Sequence, residues 1–197
     1  MKNICVYCGA NPGNAPIFGE VAVSVGKLLA TEGIGLVYGG GAVGLMNTVA
    51  GAVLEAGGRV IGVIPQALMD LEVGRTDLTQ LHVTSDMHTR KAKMAELSDG
   101  FIALPGGFGT LDELFEMITW GQLGFHKKPI ALLNLNGFYD PLLSMVDHMR
   151  ENGFIRAQHR GLFVHATTPE ETLAAMRAWE PIDAVKWLPS TLKDKGK

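Results

Sequence analysis

The stretch Pro105-Gly106-Gly107-Phe108-Gly109-Thr110-Leu111-Asp112-Glu113 decides the fold of this chain. It follows the apolar run at residues 100–104, which predicts a buried parallel strand, and it precedes a long apolar helical pattern. Glycines between a strand and a helix leave backbone N–H groups free, and the helix N-terminus adds the positive end of its dipole. The stretch therefore predicts an anion-binding turn.

Glu113 at the end of this stretch has two interpretations. Thr110 can cap the helix, and a glutamate three residues later is the partner that a capping box requires. Alternatively, the Glu113 carboxylate projects into the cleft at the carboxyl edge of the sheet, where open α/β sheets bind ligands. The two interpretations are compatible, and the spacing leaves both open.

Alternating strand and helix patterns run through the chain. We predict strands at residues 3–8, 34–38, 59–64, 81–84, 100–104, 129–133 and 162–165, and we interpret residues 66–80 as a loop over the site. Helical patterns cover residues 17–31, 44–56, 86–98, 139–152 and 168–179, and a further helix runs from the glycine stretch to about residue 124. This order predicts an α/β fold, with about seven parallel strands flanked by helices on both faces.

Composition limits the classes of protein that fit. The 197 residues are 47% hydrophobic and 19% charged, so we expect one domain at residues 1–180 and a tail at 181–197. The net charge of −3 and the lack of a basic run, apart from the weak tail 193–197, argue against a nucleic-acid partner. No apolar run reaches the ~20 residues of a membrane span, and no signal peptide is apparent, so we expect no membrane partner and a cytoplasmic location.

The cysteines and histidines predict no redox or metal site. Cys5 and Cys8 have CxxC spacing but lie in a predicted strand, where residues three apart point to opposite faces. Redox CxxC pairs usually begin a helix, and no second pair is present for zinc, so we interpret both as structural thiols. His88, His126 and His159 lack the spacing of metal ligands.

A second glycine motif follows the second predicted strand. Gly39, Gly41 and Gly44 match GxGxxG, but the next strand ends without the acidic residue that would bind an adenosine ribose. We interpret this loop, with Gly40 and Gly41, as a wall of a mononucleotide pocket. The alternative is that the glycines only allow tight packing of strand on helix.

The helical pattern at residues 86–97 places a cation on its inward side. At about 100° per residue, Met87 and Met94 lie on one apolar stripe, Arg90 lies on the same stripe and Lys91 borders it. A buried arginine needs an anionic partner, which is either a carboxylate of the protein or a phosphate of a ligand.

Two motifs together resemble the LOG ("lonely guy") family. They are PGGxGTxxE at residues 105–113 and MHxRKxxM at residues 87–94, supported by Cys8-Gly9, the glycines at 39–41 and Ile118-Thr119-Trp120. The family comprises cytokinin riboside 5′-monophosphate phosphoribohydrolases, many once mislabelled lysine decarboxylases. The resemblance runs from Ile4 to about Ala178 and implies a Rossmann-like homodimer without a cofactor. The reaction that the resemblance implies is hydrolysis of the N-glycosidic bond of adenosine-type nucleoside 5′-monophosphates, including AMP, to free base and ribose 5-phosphate.

The resemblance also implies functions for individual residues. Arg90 and Glu113 would be catalytic. The residues implied to bind the nucleotide are Gly40, Gly41, Glu72, Lys91, Gly106, Gly107, Phe108, Gly109, Thr110, Leu111, Asp112 and Thr119. The turn at residues 8–13 departs from the family, which usually has serines after Cys-Gly, so it has no serine hydroxyl that could contact the nucleotide.

The implied chemistry fits a carboxylate near the anomeric carbon, because cleavage of a ribosyl C–N bond passes through an oxocarbenium-like state. The acid that protonates the leaving base is not assigned, since Arg90 stays charged and is a poor proton donor. A non-catalytic nucleotide or cofactor carrier on the same fold is the alternative. A pyridoxal-phosphate decarboxylase would need a Schiff-base lysine, and only Lys91 has a distinct environment.

Apolar residues surround the helix that follows Glu113, and one sheet face can bury only one stripe of a helix. We therefore expect this helix to form a homodimer interface. The apolar residues that surround this helix, of which the sheet is expected to cover one stripe, are Leu111, Leu114, Phe115, Met117, Ile118, Trp120 and Leu123.

Overall fold

Seven strands form one sheet in the structure, a computed structural model that describes residues 1–71 and 74–182. The strands are β1 (Asn3–Tyr7), β2 (Gly35–Tyr38), β3 (Val60–Pro65), β4 (Gln80–Thr84), β5 (Gly100–Ala103), β6 (Ile130–Leu133) and β7 (Val164–Ala166). Their order is β4-β3-β2-β1-β5-β6-β7, and all neighbours are parallel. The predicted parallel α/β sheet is confirmed.

Helices cover both faces of this sheet. They are α1 (Pro16–Thr31), α2 (Gly44–Glu55), α3 (Gln66–Met69), α4 (Met87–Glu96), α5 (Phe108–Gln122), α6 (Asp140–Glu151) and α7 (Pro169–Ala178), with 3-10 turns at Leu135–Gly137 and Ala157–Leu162. The core on one face includes residues of α1, α2 and α7, and the core on the other face includes residues of α4, α5 and α6. The five inner strands β1, β2, β3, β5 and β6 are almost fully buried because helices cover them on both sides, whereas the edge strands β4 and β7 are partly exposed.

The strand order reverses at β1. The chain builds outward from β1 to β4 on one side, and it then returns to place β5 on the other side of β1. The loops that follow β1 and β5 therefore leave the sheet in opposite directions, which opens a crevice between them.

Cys5 and Cys8 lie in different cores, as the strand periodicity predicts. Cys5 packs with the core of α4, α5 and α6, whereas Cys8 packs with the core of α1, α2 and α7. Both are free thiols, and burial raises the pKa of each well above its usual range. A protonated thiol is a poor nucleophile and metal ligand, so the structural interpretation stands.

Two predicted boundaries were wrong, and two further predictions concern residues outside those that the structure describes. The loop predicted at residues 66–80 begins with the single helical turn of α3, and the last strand starts at Val164 because a 3-10 turn occupies Ala157–Leu162. Glu72, predicted to bind the nucleotide, lies outside the described residues, as does the predicted tail from residue 183 onward. Within residues 1–71 and 74–182, no helix has the length and apolar character needed to cross a membrane.

Helices α1 and α2 approach each other closely at Gly26. A methyl group on Gly26 would lie 2.7 Å from both the Val49 carbonyl oxygen and the Ala52 methyl carbon. The opposing atoms belong to a helix backbone and a short side chain, so they cannot turn aside. The glycine therefore sets the distance between the two helices.

The substitution Gly26→Ala tests this contact. We expect it to lower the free energy of unfolding by about 1–3 kcal/mol, because the added methyl group forces the helices apart. Gly19→Ala on the same helix is the matched control, since nothing lies within 4 Å of its added carbon. That control should be neutral or stabilising by up to about 1 kcal/mol. Urea unfolding measures both variants, and equal changes would contradict the steric argument.

Candidate active site

A cleft of about 700 Å³ opens at the carboxyl ends of β1, β2, β3 and β5. Its polar side is formed by Arg90, Glu113 and the glycine turn after β5. Its other walls are the turn after β1, the glycine loop after β2 and a group of apolar side chains. The cleft therefore lies at the crevice that the reversal of strand order creates.

Arg90 and Glu113 form a buried ion pair at this cleft. Arg90 Nη1 lies 3.3 Å from Glu113 Oε1, and the two side chains are only 9% and 11% exposed. Arg90 Nε also donates a hydrogen bond of 3.1 Å to the Val63 carbonyl, which fixes the guanidinium against the end of β3. The helical stripe correctly placed Arg90 inward, and its protein partner is the predicted catalytic carboxylate.

Glu113 is not part of a capping box. Helix α5 begins at Phe108 with Gly107 as its N-cap residue, and no side chain caps it. Thr110 therefore lies within the first turn, so the capping interpretation was wrong. The Thr-x-x-Glu spacing suggested that the helix starts after Thr110. The backbone of Gly107 is extended, so Gly107 is the last residue before the helix. The carboxylate of Glu113 is free to reach Arg90 and the cleft.

The environment of Glu113 favours its protonated form. Burial, which is the largest cause, raises its pKa from 4.5 to about 7. The Arg90 guanidinium opposes this rise, whereas the Asp112 carboxylate adds to it. Near neutral pH, both the acid and the carboxylate are therefore present, as general acid–base chemistry requires.

The glycine turn after β5 is closely packed on one side and open on the other. An added carbon on Gly106 would overlap the Thr110 hydroxyl and lie 2.9 Å from the Gly9 nitrogen. Gly107 and Gly109 have nothing within 4 Å at the same position, so they face open space. The first N–H groups of an α-helix have no partner within the helix, and the residues that carry them in α5 line the cleft. The arrangement can hold an anion.

Lys91 lies beside the cleft rather than in it. Its Nζ contacts Asp112 Oδ2 at 3.0 Å and Glu116 Oε1 at 3.2 Å. Burial by itself would lower the pKa of Lys91, but the hydrogen bonds to these two carboxylates outweigh it and raise the pKa. Lys91 is therefore charged, and within one chain it joins α4 to α5.

The other predicted nucleotide-binding residues divide between the cleft and a second surface. Gly41, Gly106, Gly107, Phe108, Gly109 and Thr110 line the cleft, and Gly40 lies next to it with φ of 73°. Leu111, Asp112 and Thr119 instead line a shallow depression on the outer side of α5, together with Phe115, Glu116 and Trp120. Phe108 is 94% exposed and borders both surfaces.

Apolar cleft residues were not predicted from the sequence. They come from four separate segments and are Phe18, Val43, Leu45, Met46, Ile64, Leu68 and Phe138. Phe18 and Phe138 meet edge to face, with ring centroids 6.1 Å apart. The neighbouring Tyr139 is fixed by a 2.6 Å hydrogen bond from its hydroxyl to the Leu104 carbonyl. No local pattern marks such residues, because their common feature is a shared position in space.

Known proteins resemble the chain over most of its length. The sequence model of the family described as "Possible lysine decarboxylase" matches residues 46–176. A probable cytokinin riboside 5′-monophosphate phosphoribohydrolase of Oryza sativa subsp. japonica, LOGL1, is 52% identical over 89% of this chain and 79% of its own. The chain belongs to the LOG family. The phosphoribohydrolase LOG5 of Arabidopsis thaliana is 45% identical over 93% of this chain and 80% of its own.

Solved structures extend the likeness of this LOG family member to its fold. The Moco carrier protein from Chlamydomonas reinhardtii superposes with a TM-score of 0.68 and 24% identity, over 91% of this chain and 97% of that chain. At this identity the match supports the shared fold and carries no argument about activity.

The raised pKa of Glu113 predicts how stability changes with pH. Below about pH 4.5 the carboxyl is protonated in the folded and unfolded chains, so its full contribution to stability is present. As the pH rises through about 7, that contribution is lost, because the unfolded chain ionises first. Glutamine cannot ionise, so Glu113→Gln should gain stability relative to wild type between pH 5 and 8, by on the order of 1–3 kcal/mol.

Thermal unfolding at several pH values measures this difference. Glu151→Gln, at the exposed end of α6, is the matched control and should follow the wild type across the range. Parallel curves for Glu113→Gln and wild type would contradict the raised pKa.

Proposed function

We propose that this protein hydrolyses the N-glycosidic bond of adenosine-type nucleoside 5′-monophosphates, including cytokinin riboside 5′-monophosphates and AMP, to free base and ribose 5-phosphate. The observation that carries the proposal is the buried Arg90–Glu113 pair, which faces a cleft beside an anion-binding turn. Relatives at about half identity are named for this reaction. The direct test is chromatography of AMP and its isopentenyl derivative after incubation with the purified protein, which should show free base.

Glu113 is the acid and base in the proposed mechanism. Its protonated form donates a proton to the base as the bond between C1′ and the base nitrogen breaks, and its carboxylate stabilises the positive charge on the sugar. Water then adds to C1′ and returns a proton to Glu113, which restores the starting state. The pKa of about 7 supports both steps, and it supplies a candidate for the leaving-group acid that the sequence left unassigned.

Arg90 acts electrostatically in this mechanism. It stays charged, so it does not transfer a proton. Its guanidinium orients Glu113 through Nη1 and also borders the cleft, where it can attract the phosphate. The turn at Gly106–Thr110 provides backbone N–H groups for the same phosphate. The other nucleotide contacts that the resemblance implies stay predictions: Gly40, Gly41 and Glu72, together with Lys91, Leu111, Asp112 and Thr119, of which the last four lie outside the cleft of this chain.

Two other functions fit the site less well. A nucleotide or cofactor carrier would need the glycine turns, but it gives no reason for a buried arginine–glutamate pair. A lysine decarboxylase that uses pyridoxal phosphate needs a lysine for the Schiff base, and none of the described residues that line the cleft is a lysine. Lys91 does not fit this task, since two carboxylates engage its ammonium group.

Glu113→Gln should abolish base release. Glutamine keeps the size of the side chain and can still contact Arg90, but it cannot donate or accept the proton. We expect kcat to fall by about a hundredfold or more, while nucleotide binding measured by calorimetry changes little. Glu151→Gln is again the control and should retain full activity. Near-normal turnover by a folded Glu113→Gln protein would exclude the proposed role.

Efficient hydrolysis should require the 5′-phosphate. Neither the glycine turn nor Arg90 gains a partner from a neutral nucleoside, and binding energy from the phosphate positions the ribose against Glu113. We expect kcat/KM for AMP to exceed that for adenosine by about a hundredfold or more. Both substrates are measured on one preparation. Equal values would mean that the glycine turn does not bind phosphate.

We further propose a homodimer formed through the outer side of α5, where Phe108, Phe115 and Trp120 border the open depression. Such an interface would bring Thr119 and Asp112 close to a neighbouring chain. The cytoplasmic location expected from the composition stays a prediction, as does the single domain at residues 1–180.

Light scattering tests the dimer. At micromolar concentration, we expect a mass twice the 21.1 kDa of one chain. A charge at the interface should dissociate the dimer, so Phe115→Glu should run as a monomer. Phe154→Glu, at a residue that is 83% exposed after α6, is the matched control and should remain dimeric. A monomeric wild-type protein would contradict the proposal.

A further inference from the structure

Gly39, the first residue of the triple glycine, lies directly against the guanidinium of Arg90. A methyl group on Gly39 would overlap Nη2 and lie 3.1 Å from Cζ of Arg90 and 3.3 Å from the Met46 sulfur. The guanidinium therefore occupies the volume that any side chain at position 39 would need. Gly39 is not in the left-handed region of φ, so an alanine there would be opposed by this contact and not by its backbone.

The next glycine serves a different purpose. Gly40 has φ of 73°, and a methyl group on it would lie 2.9 Å from Cβ of Ile64. It is needed for the turn of the chain itself. The roles of the two adjacent glycines can therefore be separated by mutation. Of the two, Gly39 is the one that makes room for a charged side chain of the cleft.

The other contacts of Arg90 prevent it from moving aside without loss. Nε donates to the Val63 carbonyl at 3.1 Å, and Nη1 lies 3.3 Å from Glu113 and 3.8 Å from the Met87 sulfur. Because the guanidinium is planar, a displacement of Nη2 turns Nε and Nη1 as well. A side chain at position 39 would thus disturb the ion pair with Glu113.

We propose that Gly39 is a positioning residue for the reaction: its missing side chain provides the space in which Arg90 faces Glu113. The link to catalysis rests on the proposed function, whereas the packing of Arg90 on Gly39 does not. The glycine motif after β2 accordingly serves the arginine of the site as well as forming a wall of the nucleotide cleft.

Displacement of Arg90 changes what Glu113 faces. The titratable and charged groups around the Glu113 carboxyl are Cys5, Tyr7 and Cys8 from the first strand and its end, Arg90 and Lys91 from α4, and Asp112 and Glu116 from α5. Of the two cations, Arg90 is the one in contact with the carboxyl group. A guanidinium that moves away stabilises the carboxylate less, so Glu113 keeps its proton to a higher pH.

A thermal-unfolding cycle tests the packing without reference to activity. It uses wild type, Gly39→Ala, Arg90→Ala and the double variant. Gly39→Ala should lower Tm by about 3–8 °C in the wild-type background and by much less when Arg90 is already alanine. Equal losses in both backgrounds would overturn the proposal. If Gly39→Ala alone does not fold, a folded double variant supports the proposal, and failure of both variants overturns it.

The pH profile of base release from AMP tests the catalytic consequence. For Gly39→Ala, kcat should fall by about tenfold or more, and the midpoint of its pH dependence should move upward by about 0.5–1 unit. Gly51→Ala is the matched control, because its added carbon meets Arg75 only at an ordinary 3.4 Å. A fall in kcat without a shift of the midpoint would leave Gly39 a merely structural role and overturn the proposal.

The two experiments separate the two proposals. If the wild-type protein released no base from any nucleotide, the proposed function would fail, and the unfolding cycle would still decide whether Gly39 makes the space for Arg90.

Discussion

The buried pair of Arg90 and Glu113 is the interaction on which the rest of the site depends. Removing two charges from water costs several kcal/mol per ion, and the cost is offset only if each charge finds good partners. Arg90 has the Val63 carbonyl as well as the carboxylate, and Gly39 leaves room for its planar head. Burial raises the pKa of Glu113 to about 7, so the carboxyl group can keep its proton near neutral pH and avoid part of the cost of burying a charge. The pair therefore constrains residues on two helices, a strand end and a glycine loop.

The order of the strands explains why these groups meet at an open cleft. Arg90 comes from the helix before β5 and Glu113 from the helix after it, so the two helices pack side by side on one face of the sheet. Strands β2, β3 and β4 lie on one side of β1, and β5 lies on the other side. The loops that follow β1 and β5 therefore leave the sheet in opposite directions. The ion pair thus lies on one wall of a cavity whose other walls include several apolar side chains. A nucleotide has matching parts, since it carries a phosphate at one end and an aromatic base at the other.

The sequence was most informative where a pattern is local. Strand and helix periodicity predicted the seven parallel strands and placed Arg90 inward, because both depend on the spacing of neighbouring residues. The capping interpretation of Thr110 failed for a related reason. Thr-x-x-Glu spacing is compatible with a cap at Thr110, but the extended backbone of Gly107 started the helix three residues earlier. The spacing of residues shows that a capping hydrogen bond is possible, but it does not determine at which residue the helix begins.

The sequence by itself determined the fold class, the family and the two charged residues of the candidate site, because each can be recognised from motifs of consecutive or regularly spaced residues. Only the tertiary structure decided that Arg90 and Glu113 touch, that Lys91 is engaged by two carboxylates, and that Phe18 and Phe138 share one wall. It also decided the pKa of Glu113, since burial by distant segments is its largest cause. Distances and burial between residues far apart in the chain depend on how whole elements pack, and no local pattern records that packing.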